Sequence, residues 1–89
     1  MAAKYIIWDL HGMADKIIVF DESISHLSMA DSFGRKELIV SAGFVRFRPS
    51  KNGGVVARCS GESETLGIGS REEDSELVTR NFELDPYQE

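Results

Sequence analysis

The sequence predicts an α+β domain: one mainly antiparallel sheet of four or five strands with two helices packed on one face, in the order β-β-α-β-β-(β)-α. Three observations predict it. Two pairs of short runs are rich in β-branched and aromatic residues, and each pair is joined by turn-forming residues. Two further segments carry apolar residues at helical spacing behind capping signals. The chain has 89 residues, which suits one domain, 1–89, and one modest core.

KYIIWDL, residues 4–10, reads as the first strand. Ile6 and Trp8 point one way, Tyr5 and Ile7 the other, and both sets are apolar. A strand greasy on both faces belongs in the interior of a sheet. LHGMAD forms a loop, and KIIVF, residues 16–20, returns as the second strand of an antiparallel hairpin. In DESISHLSMADSFG, Asp21 or Ser23 is placed to cap a helix over residues 23–33, with Ile24, Leu27 and Ala30 on its apolar stripe. Gly34 supplies the left-handed stop.

ELIVSAGFVRF, residues 37–47, is the third strand, with a bend at Gly43. Pro49 ends it, and Asn52-Gly53 accepts the positive φ of a tight turn. VVARCS, residues 55–60, closes the second hairpin. SETLGI, residues 63–68, is a short fifth strand. A second helix follows over residues 71–82, with Leu77, Val78 and Phe82 inward. LDPYQE, residues 84–89, is expected as a flexible tail, because Pro86 cannot continue the helix. With both helices on one side, apolar residues on the other side of the sheet need a cover. A second copy of the chain is the simplest one.

Composition narrows the function classes. The single cysteine, Cys59, allows no intrachain disulfide and suits a reducing cytoplasm. No run approaches a membrane span, and MAAKYIIWDL lacks the features of a signal peptide, so the expected location is cytoplasmic, away from membranes. The formal net charge of −5 is unevenly spread. Residues 35–58 hold six cations against Glu37 alone, while both flanking segments are acidic.

GIGSREEDSELV, residues 67–78, raises the question of a phosphate loop. A dinucleotide fingerprint needs a third glycine where Glu72 stands, and a P-loop needs Gly-Lys-Ser/Thr. Glu72, Glu73 and Asp74 would repel a phosphate at the helix start. A capping box, Ser70 with Glu73, accounts for the same residues, so no cofactor is expected.

RFRPSKNGGVVAR is the candidate binding element. Arg46, Arg48, Lys51 and Arg58 cluster along two paired strands, with Phe44 and Phe47 interleaved. Cations neutralise phosphates, aromatics stack on bases, and a two-stranded ribbon fits a DNA major groove. The contrary reading is a solvated, charged edge that discourages aggregation, with the chain's own acidic C-terminal region as a candidate partner. Cys59 with His11 or His26 could form a nucleophile–base pair if brought together, but no nucleophile turn surrounds the cysteine. One Cys and two scattered His do not make a zinc site, and the carboxylates show no converging pair, so neither metal nor catalytic residues are assigned.

SAGFVRF and GESETLGIGSREEDSELV, within residues 41–78, resemble segments of small uncharacterised bacterial or prophage-type proteins. The resemblance implies a bacterial, cytoplasmic origin and carries no functional residue. The function expected is a small non-enzymatic interaction module, homodimeric, acting on a protein partner. The alternative is nucleic-acid binding through the 46–58 hairpin, and the third is a small enzyme with a site at a subunit interface.

Overall fold

Strand β1 (Ala3–Trp8) organises the structure because neither of its faces tolerates water. In the computed structural model, which describes residues 2–83, Tyr5, Ile6, Ile7 and Trp8 have no exposed surface. β1 is flanked on one side by β2 (Lys16–Asp21) and on the other by β3 (Ile39–Pro49), both antiparallel. β4 (Val55–Ser60) pairs with the far side of β3, giving the order β2-β1-β3-β4. The antiparallel four-stranded sheet with two helices is the architecture the sequence predicts.

The expectation that both helices lie on one face is corrected by side-chain packing. Residues directly opposite in an antiparallel ladder share a face, and successive residues alternate. Tyr5 and Ile7 therefore share one face with Val45 and Ala57, and there they meet Leu77 and Val78 of α2 (Asp74–Glu83). Ile6 and Trp8 share the other with Phe20 and Ala42, and there they meet Ala30 of α1 (His26–Phe33). Each apolar face of β1 thus receives its own helix, which removes the uncovered face that called for a dimer.

Local competition sets the helix starts. Asp21 does not cap α1; its carboxylate accepts from the Ser23 N–H at 2.8 Å and forms a turn instead. Ser25 is the cap, accepting from Ser28 N–H at 3.0 Å, so the helix begins at His26 rather than residue 23. Gly34 ends it as expected, at φ 83°. Residues 36–38 form one 3₁₀ turn behind a left-handed Arg35, which delays β3 to Ile39.

The expected fifth strand is instead a small hairpin, β5 (Glu62–Ser63) and β6 (Ile68–Gly69). It packs Leu66 and Ile68 onto the α1 face of the sheet. Gly67 takes φ 67° in its turn and Gly69 pairs with Glu62, so both glycines of GIG serve a hairpin. The cap of α2 is shifted by one residue from the expected pair. Asp74, not Glu73, closes the box, accepting from the Arg71 N–H at 2.9 Å. Residues 84–89, expected as a tail, lie outside the described residues.

Candidate functional site

Strand alternation turns the β3–β4 hairpin into a ribbon with two unlike faces. On one face stand Val45, Phe47, Pro49, Val55, Ala57 and Cys59, all apolar. Val45 and Ala57 are fully buried there, and Phe47 meets Phe82 of α2 edge-to-face at 5.1 Å between ring centroids. On the opposite face stand Phe44, Arg46, Arg48, Val56, Arg58 and Ser60. All three arginines are exposed, and Arg46 lies directly across from Arg58. Lys51 is exposed in the turn at the ribbon's tip, where Gly53 takes φ 86°.

Like charges directly opposite one another destabilise a ladder. Here no acid forms an ion pair with either arginine among the described residues. Among the described residues, Arg35, Lys36, Arg71 and Arg80 all make ion pairs, whereas Arg46, Arg48, Lys51 and Arg58 make none. Pairing between the ribbon and the acidic C-terminal region is accordingly not seen for residues up to 82; Glu73, Asp74 and Glu76 bind Arg71 and Arg80 instead.

The structure brings together Phe44, Arg46, Arg48 and Arg58 from the predicted set and leaves Lys51 at the tip. Phe47 falls on the other face, because adjacent strand residues alternate. Phe44 stands apart from the arginines in character. It is 36% exposed and packs edge-to-face on His26 at 5.8 Å. Beside it a cleft of about 250 Å³ is lined by Lys4, Ser25, His26, Glu62, Glu64 and Thr65. The two carboxylates, Glu62 and Glu64, share this cleft at the base of the ribbon with Lys4. A shallow groove of about 650 Å³ runs between β4 and α2, with Arg58 and Arg80 among its walls.

His26 and Cys59 are not brought together. His26 packs under the α1 face against Phe20 and Phe44, while Cys59 lies on the α2 face opposite Val45. Burial, with the charge of Asp74, pushes the Cys59 thiol up to about 11, away from nucleophilic thiolate character. His11 is exposed in the β1–β2 loop. Among the described residues no cluster of three His, Cys, Asp or Glu side chains is placed to hold a metal, and no helix is long and apolar enough to cross a membrane.

One buried polar cluster escapes sequence reading. Asp74 is fully buried, accepts from the Tyr5 hydroxyl at 2.5 Å, and binds Arg71 Nε at 3.0 Å. Burial and the neighbouring carboxylate together hold the Tyr5 hydroxyl protonated well above its ordinary range. With the Arg71 N–H also bound, the carboxylate ties the start of α2 to the central strand. Its partners and burial fit a structural anchor. The sequence signal was an acid three residues beyond a helix cap, which any solvated cap also shows. No protein-family model, curated protein or solved structure matches this chain.

Proposed function

We propose that the chain is a small non-enzymatic binding module that takes a polyanion, nucleic acid, on the basic face of its β3–β4 ribbon. One observation carries the reading: Arg46, Arg48 and Arg58 share one exposed face, with Arg46 and Arg58 opposed, and no carboxylate pairs with them among the described residues. Such an arrangement costs stability in the free protein and is relieved by an anion that neutralises several guanidinium groups at once. Phosphates repeated along a strand match cations repeated along a ribbon. A cytoplasmic location belongs to the same proposal, supported by the single thiol.

The test is fluorescence anisotropy with labelled single-stranded and duplex oligonucleotides. Arg46→Ala/Arg48→Ala is expected to weaken binding by about tenfold or more. Lys36→Ala, which removes a cation already paired with Asp31 at 2.7 Å, is expected to leave it nearly unchanged. Equal losses in both variants, or no binding by the unaltered chain at low salt, would remove the ribbon as the site.

A further inference from the structure

The sheet has two outer edges, and the chain treats them differently. β4's outer edge is closed: the Ala57 N–H donates to Thr79 Oγ1 at 2.8 Å and the Cys59 N–H to Ser75 Oγ at 2.9 Å. Two hydroxyls, one helical turn apart on α2, stand where a further strand would bind. β2, at the other edge, pairs only with β1 among the described residues. It is six residues long, free of proline and glycine, and carries Ile17, Ile18 and Val19 half-buried. Its pairing with β1 shows no register shift. An edge of this kind offers a row of unpaired backbone groups to another strand.

We infer that this edge takes the β2 of a second copy, antiparallel, to form one continuous eight-stranded sheet. A two-fold axis normal to the sheet preserves its faces, so only residues of like parity can lie opposite each other. Two central registers satisfy this. Self-pairing at Ile18 sets Asp15 against the partner's Asp21, acid on acid. Self-pairing at Val19 sets Ile18 against the partner's Phe20, on the face that α1 covers, and Ile17 against the partner's Asp21. It also brings Lys16 beside the partner's Glu22, the first residue of the turn that follows β2. Lys16 and Glu22 are both exposed, and neither makes an ion pair within the chain among the described residues. Charge complementarity therefore selects the Val19 register, with two Lys16–Glu22 contacts related by the axis. The arrangement leaves both basic ribbons at the outer ends of the sheet, so it stands independently of what the ribbons bind.

Sedimentation equilibrium of the full chain tests it, with self-association expected to stop at two copies. Lys16→Glu opposes acid to acid twice and is expected to raise the dimer Kd by about tenfold. Lys16→Glu/Glu22→Lys restores opposite charges in reversed order and should return the Kd to within about threefold of the original. Both substitutions lie on exposed side chains, so far-ultraviolet circular dichroism should be unaltered. A chain that stays monomeric at millimolar concentration overturns the inference. So does a dimer indifferent to Lys16→Glu, or one that the double variant fails to restore. Loss of the dimer with oligonucleotide binding intact would leave the ribbon proposal standing, and the reverse result would separate the two equally.

Discussion

His26 shows what one residue contributes and what its pH response should be. It is 4% exposed, its Nε2 lies 2.9 Å from the Gly43 carbonyl, and the rings of Phe20 and Phe44 flank it edge-on. Burial lowers its pKa from the ordinary 6.5, the Gly43 carbonyl opposes that shift, and Lys4 adds to it. The unfolded chain therefore binds the proton more readily than the folded one. Stability from this site is fully present above about pH 6.5 and declines as the pH falls toward the lower folded value. The melting temperature is expected to drop between pH 7.5 and 5.5, and His26→Gln, neutral throughout, should flatten that drop. An equally steep drop in the variant would assign the pH response to the carboxylates. The neighbouring backbone explains why residue 43 is glycine: a Cβ there would sit 2.6 Å from the Ser60 carbonyl oxygen. The charge of Arg46, Arg48 and Arg58 was legible from sequence, but their shared face depends on the β3–β4 register, which sets Arg46 opposite Arg58. The anchoring of Asp74 was not legible, because its tyrosine partner lies 69 residues away.

Among the elements, α2 does two jobs with two faces. Leu77 and Val78 enter the core beside Tyr5 and Ile7, while Ser75 and Thr79 cover the β4 edge. Serine and threonine are indifferent helix formers, so their value here lies in the N–H groups they accept from. Ser75→Ala/Thr79→Val is expected to cost about 1–3 kcal/mol in urea unfolding. Amide exchange at Ala57 and Cys59 should accelerate in particular, and the exposed edge should make the variant more prone to associate. Normal protection of both amides would show that water or a shifted backbone replaces the hydroxyls. β4 was legible to the residue and β2 to within one, because β-branched runs and turn residues are local signals. The ends of β1 and β3 were off by up to two residues, and the expected fifth strand is two short strands of a hairpin. The first helix started late because an Asp21 turn and a Ser25 cap compete for the same segment, and propensity alone does not rank them. The face on which each helix lands is a property of the connections, so it could not be read from alternation within the strands.

At the scale of the whole molecule, the net charge of −5 conceals a dipolar division between a cationic ribbon and acidic surroundings. This division sets the salt response of any nucleic-acid complex. Arg46, Arg48, Lys51 and Arg58 together can neutralise at most four phosphates, so the slope of log K against log salt should be no steeper than about −2.8 on single strands and about −3.6 on duplex. Three linked consequences test the assignment to the ribbon. The affinity should be modest at physiological salt, because the acids beyond the ribbon still repel a polyanion within a Debye length of about 8 Å. Arg46→Ala/Arg48→Ala should reduce the magnitude of the slope by about two, matching the two contacts removed. Glu62→Gln/Glu64→Gln, at the base of the ribbon, should strengthen binding most at low salt, where repulsion reaches farthest. A slope unchanged by loss of the two arginines would place the phosphates elsewhere on the molecule. A slope near zero would point away from a polyanion altogether.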